Sequence, residues 1–191
     1  TTRGATFAEQ PGIIFELGAD DALSVARASG PTANGLEITE DGTLYATEPG
    51  ERRVVQIGDD GVETMVADQF EGKRFNGPND VVAAADGSLY FTDPLPLDEL
   101  VDGELGFTGA FRVGPDGEVT VAYPGQADSA GFPNGIGLSP DQTRLYVSDS
   151  SAFMIWAIDI GPDGTPSEPV EFATMEGLPD GMCIDKAGNI F

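Results

Sequence analysis

The sequence contains no histidine, one cysteine (Cys183) and only 9 Lys and Arg residues against 33 Asp and Glu, for a formal net charge of −24. Without histidine, Ser-His-Asp and Cys-His catalysis are excluded, and so is any imidazole-held zinc. A lone cysteine permits no intrachain disulfide and leaves the compartment of a soluble protein open between cytoplasm and periplasm. The shortage of Lys and Arg argues against a nucleic-acid partner, because phosphate binding depends on those cations. Apolar runs extend only a few residues and no charged-then-apolar leader opens the chain. Neither a membrane span nor an intact signal peptide is therefore expected. The acidity reads as a solubility device, as adaptation to a salty habitat, or as a diffuse field that attracts cations.

What the chain does contain is enough for a folded core. Hydrophobic residues make up 40% of its 191 positions, which suits one domain over residues 1–191 rather than a disordered segment. Its 26 Gly and 14 Pro punctuate a repeat. Four segments align: Asn34 to Glu48 (NGLEITEDGTLYATE), Asn79 to Asp93 (NDVVAAADGSLYFTD), Asn134 to Asp149 (NGIGLSPDQTRLYVSD) and Asp180 to Phe191 (DGMCIDKAGNIF). Their opening residues stand 45, 55 and 46 positions apart. A period near that length with about four short strands per unit marks a β-propeller blade.

Each unit supplies its strands. Leu36 and Ile38 alternate with Glu37 and Thr39, the period of a strand. Asp41-Gly42, Asp86-Gly87 and Gly188-Asn189 supply the hairpin turns between inner strands. Outer strand pairs are expected at Arg53 to Ile57 with Val62 to Ala67, at Phe111 to Val113 with Val119 to Tyr123, and at Met154 to Ile160 with Pro169 to Thr174. A further outer pair, Ile13 to Leu17 with Leu23 to Ala28, precedes Asn34. A helix over Ala22 to Ser29 is disfavoured because it would be short and uncapped. The irregular stretch Pro94 to Leu105 is expected to loop over one mouth of the propeller. The reading is an all-β chain of three whole blades and two partial ones. Such a set does not close a ring comfortably, so a longer polypeptide or further copies are expected to complete it.

In a propeller the innermost strands surround one channel, so residues at equivalent positions form a ring. Here that ring would hold Asn34, Asn79, Asn134 and Asp180. Amide and carboxylate oxygens suit a hard divalent cation and suit zinc or copper poorly. Gly35, Gly135 and Gly181 follow three of the four and ease crowding near the axis. Any one Asn-Gly or Asp-Gly pair alone is a turn signal; four in phase, each ahead of a strand, point to a functional ring. Asp93 and Asp149 read as hydrogen-bonded corner residues, Cys183 as a buried thiol, and Trp156, Phe153 and Tyr146 as packing between blades.

Three segments, Asn76 to Pro94, Phe132 to Ser150 and Gly177 to Phe191, carry a resemblance. With them the chain resembles the family of senescence marker protein-30, gluconolactonases and related calcium-dependent lactonases, and EGKRFNGPND (Glu71 to Asp80) is similar to the bacterial gluconolactonase form. The resemblance implies a six-bladed propeller, of which this chain covers roughly four blades. It also implies one catalytic divalent cation, calcium foremost, with magnesium, manganese or zinc as alternatives. Asn134 then matches a metal-binding Asn, Asp180 a metal-binding Asp that is also the proton acceptor, and Asn79 an Asn on substrate in some members and on metal in others. Asn34 holds the equivalent place in its own repeat, as a further substrate contact. Two departures stand out. The family's ligand Glu has no counterpart and is expected upstream of Thr1, and an Arg of the animal members is Gly77 here, with Arg74 nearby as the substitute.

The implied activity is metal-dependent opening of sugar-type lactones. A phosphotriester hydrolase using the same cation, and a non-catalytic propeller platform, are the alternatives.

Overall fold

A computed structural model describes residues 12–28, 30–94, 103–125 and 131–191. Among them there is no helix. Strands β1 (Ile14–Leu17) and β2 (Leu23–Arg27) form a two-stranded sheet. Three four-stranded antiparallel sheets follow, each a meander in chain order. The first holds β3 (Leu36–Ile38), β4 (Leu44–Glu48), β5 (Arg53–Ile57) and β6 (Glu63–Ala67). A small hairpin, β7 (Gln69–Phe70) with β8 (Lys73–Arg74), leads to the second: β9 (Val81–Ala83), β10 (Leu89–Asp93), β11 (Gly109–Val113) and β12 (Val119–Tyr123). The third holds β13 (Pro133–Leu138), β14 (Arg144–Asp149), β15 (Met154–Asp159) and β16 (Val170–Thr174).

The turns form where glycine frees the backbone. Gly42, Gly87 and Gly117 adopt φ of 88°, 87° and 82°, a region that side chains with a Cβ rarely enter. The preceding aspartate caps each turn: Asp86 accepts the Ser88 N–H at 2.8 Å and Asp116 the Glu118 N–H at 3.1 Å.

The hydrophobic core lies between neighbouring sheets. Strand β10 is buried on both faces, and its alternation divides the work. Leu89 and Phe91 point toward the first sheet and join Val54, Phe75 and Phe111, while Tyr90 joins Ile136, Leu145 and Trp156 of the third. Phe75 meets Phe91 edge-on at 4.9 Å between ring centroids, a favoured aromatic geometry. A charged cluster ties β2 to the first sheet: buried Arg27 bridges Glu48 (2.6 Å) and Glu63 (2.8 Å), and Arg53 bridges the same two acids. Each ion thus has two partners, the condition under which buried charge is tolerated.

The meander order and the outer pairs agree with the sequence reading, including a strand where a helix over Ala22 to Ser29 was disfavoured. Three expectations are corrected or narrowed, and a fourth falls largely beyond the described residues. The inner pair after Asp180 is reduced to an isolated bridge, Ile184 with Ile190, although Cys183 and Phe191 exchange two backbone hydrogen bonds (3.1 and 3.0 Å). Cys183 is exposed, because alternation turns Met182 and Ile184 onto Tyr146, Ile155 and Ala157 and sends the thiol to the other face. Phe153 is 43% exposed, in a turn with φ of 54°, whereas Trp156 and Tyr146 are buried as expected. Most of the Pro94 to Leu105 stretch lies outside the described residues.

Candidate functional site

First strands of successive sheets approach closely enough to exclude a Cβ. A methyl at Gly35 would stand 2.6 Å from Asp80 Cα, and one at Gly135 would stand 2.4 Å from the Asp180 carbonyl oxygen. Hydroxyls on the second strands bind these approaches together. Thr47 Oγ1 accepts the Gly35 N–H (2.7 Å) and donates to the Asn79 carbonyl of the next sheet (2.6 Å). Thr92 accepts the Asp80 N–H (3.1 Å) and donates to the Asn134 carbonyl (2.5 Å). Ser148 accepts the Gly135 N–H and donates to the Asp180 carbonyl, both at 2.8 Å. All three hydroxyl-bearing residues are buried, surroundings in which a hydrogen bond is stronger than in water.

The acids after Thr92 and Ser148 close their corners, whereas Glu48, after Thr47, is taken up by Arg27 and Arg53. Asp93 accepts the N–H groups of Asn76 (2.8 Å) and Gly77 (2.7 Å), and Asp149 accepts those of Phe132 and Ser151. Both are corner residues, as the sequence suggested. Burial pushes the Asp93 carboxyl up to about 7, against the lowering pull of those two N–H donors.

This framework brings Asn34, Asn79, Asn134 and Asp180 together around one cavity of about 130 Å³, which Gly35, Asp80 and Gly181 also line. A larger hollow of about 590 Å³ lies elsewhere, between Gln69–Glu71 and Glu118–Val121, and gathers none of the four. Arg74 does not line the cavity. Its guanidinium donates to the Glu51 carbonyl and its backbone N–H to Glu104.

Asp80 was not anticipated. It stands where the other repeats carry Gly35, Gly135 and Gly181, and that departure was the available signal. Its carboxylate accepts the Val81 N–H (2.9 Å) and reaches the Ile136 N–H of the next sheet (3.0 Å). Burial raises its pKa, aided by the nearby Asp180 charge. Burial also raises that of Glu37, with Asp80 contributing repulsion. Asp180 is exposed and holds only one oxygen, Oδ1, against its own Gly181 N–H at 3.0 Å. Among the described residues no three Cys, Asp or Glu side chains converge to hold an ion. The cavity's oxygens are chiefly amides, beside two carboxylates that repel one another, a set that fits a hard cation rather than a soft one.

Comparison with known proteins follows the same lines. The profile of the SMP-30/Gluconolactonase/LRE-like region matches residues 4–191. A gluconolactonase of Zymomonas mobilis is 36% identical over 179 residues, covering 84% of this chain and 49% of its own. The pentonolactonase XacC of Haloferax volcanii is 33% identical over 162 residues, covering 82% and 50%. A solved gluconolactonase from Xanthomonas campestris superposes with a TM-score of 0.81 at 29% identity, over 94% of this chain and 61% of its own. The chain thus spans about half the length of the curated relatives it matches.

Proposed function

Because the chain belongs to the SMP-30/gluconolactonase/LRE-like family, we propose that its cavity is part of the active site of a lactone hydrolase acting on sugar-type lactones, within a six-bladed propeller. One observation carries the reading: the opening residues of four successive repeats, far apart in sequence, line a single cavity. The relatives named for gluconolactone and pentonolactone hydrolysis support the substrate class.

Asn134, Asp180 and Asn79 would hold a divalent cation, calcium foremost. When bound, that ion supplies Lewis acidity to the lactone carbonyl. The remaining chemistry belongs to the chain's own groups. Asp180, exposed and with Oδ2 accepting no hydrogen bond among the described residues, takes the proton of the attacking water. Asp80 is unsuited to that task, since both its oxygens are engaged by backbone N–H groups. It instead fixes β9 against β13 and adds negative potential to the cavity. Asn34 and Asn79 offer amide donors and acceptors to the sugar hydroxyls. The guanidinium of Arg74 is held on the Glu51 carbonyl, outside the lining of the cavity.

The test is a panel of aldonolactones and phosphotriesters offered to the unsubstituted protein and to Asp180→Ala. Lactone turnover that falls at least about 100-fold in the variant, with a retained β-sheet circular dichroism spectrum, is expected. Near-normal lactone hydrolysis by the variant, or turnover of phosphotriesters alone, overturns the proposal.

A further inference from the structure

The three hydroxyl-acid pairs that end β4, β10 and β14 are followed by different residues: Pro49, Pro94 and Ser150. Proline can neither donate nor accept through its side chain, so only the third repeat gains a second hydroxyl. Ser150 is half-buried and makes two bonds. Its Oγ donates to the Pro179 carbonyl at 2.5 Å and meets Asn134 Nδ2 at 3.1 Å.

A hydroxyl has one proton. Once Ser150 has given it to Pro179, only lone pairs remain for Asn134, so the amide must present its NH₂ to Ser150. The reverse orientation would set Oδ1 against a hydroxyl oxygen with no proton to share, or deprive the Pro179 carbonyl of its donor. The amide is thereby oriented, and Oδ1, at its other end, accepts no hydrogen bond among the described residues. Ser148, two residues earlier and still within β14, holds the Gly135 N–H and the Asp180 carbonyl. The two serines clamp Asn134-Gly135 to Pro179-Asp180.

We infer that Ser150 is a positioning residue that fixes which end of the Asn134 amide is presented as a donor oxygen, and that couples it to the segment bearing Asp180. The inference rests on the cavity being a cation site. It extends that reading to a residue that touches neither ion nor substrate, the role of outer partners that orient metal-binding groups.

Calorimetric calcium titration of the full chain and of Ser150→Ala, Ser150→Thr, Asn134→Asp and the Asn134→Asp/Ser150→Ala double variant tests it. Ser150→Ala should bind calcium about 10-fold more weakly, and Ser150→Thr, which keeps the hydroxyl, should bind within a few-fold of the parent. A carboxylate has no wrong end, so in the Asn134→Asp background the Ser150→Ala change should cost little. In metal-free protein the Asn134 side-chain NH₂ resonances, identified by their loss in Asn134→Asp, should shift in Ser150→Ala. Equal calcium affinity and unmoved amide resonances in Ser150→Ala overturn the inference, as does an undiminished effect in the Asn134→Asp background. If Ser150→Ala fails to fold, Ser150→Cys, a weak donor, replaces it under the same criteria. No calcium binding by the unsubstituted chain overturns the cation site and the inference together, which separates that failure from the others.

Discussion

Gly135→Ala adds one carbon atom at the closest approach of two sheets. That carbon would lie 2.4 Å from the Asp180 carbonyl oxygen, 2.8 Å from Gly181 Cα and 3.0 Å from Gly181 C. Relaxed carbon contacts sit at about 3.5 Å or more, so the shortfall is close to an ångström. All three obstacles are backbone atoms, and no rotamer change relieves them. Asp180 must therefore move away from Asn134, stretching the Ser148 and Ser150 bridges that join them. Overpacking of this kind costs about 1–3 kcal/mol, and a displacement of about 1 Å at a reacting group can cost about 100-fold in turnover. Urea unfolding followed by circular dichroism measures the first, and kcat/KM on an aldonolactone the second. Gly177→Ala is the control, since nothing lies within 4 Å of the added carbon there. Unfolding free energy and kcat/KM for Gly135→Ala that match those of Gly177→Ala would refute the close-approach argument.

Two further outcomes follow from the framework beneath the cavity. Thr92→Val keeps the shape of the side chain but strands the part-buried Asp80 N–H and removes the donor to the Asn134 carbonyl; it should lose about 1–3 kcal/mol, with Thr92→Ser recovering most of it in the same urea assay. Asp93 holds its proton in the folded state up to about 7, well above its unfolded value. The fold therefore binds more protons than the unfolded chain across that window, and this carboxyl's contribution to stability falls as pH rises toward 7 and is flat above it. Urea titrations at pH 5 and pH 8 should show the parent losing more stability between the two than Asp93→Asn, and equal losses would contradict the assignment.

Much of this architecture was legible because its signals are periodic. Asp-Gly turns, alternating strands and in-phase Asn or Asp openings recur, and their register located both the sheets and the residues that gather at the cavity. What escaped lay in departures from the period. Asp80 sits in a glycine place, and Ser150 in a proline place, so a reading tuned to likeness passed over both. The β7–β8 hairpin consists of two-residue strands, too short for any periodicity to register. Cys183 does lie in an apolar alternation, though not in a full strand, and alternation names two faces without saying which one is covered. Phe153 was read by its hydrophobicity, whereas its left-handed φ places it in a tight turn after β14 that points outward. Arg74 was chosen by nearness in sequence to Gly77; the hairpin directs its guanidinium to a loop carbonyl instead.

The central claim is that oxygens from Asn79, Asn134 and Asp180 act on lactones through a hard cation. Its most direct test is the rate of aldonolactone opening before chelation, after exhaustive chelation, and after calcium is restored. Activity that disappears with the chelator and returns with calcium is the predicted result; an unchanged rate in fully chelated protein contradicts it.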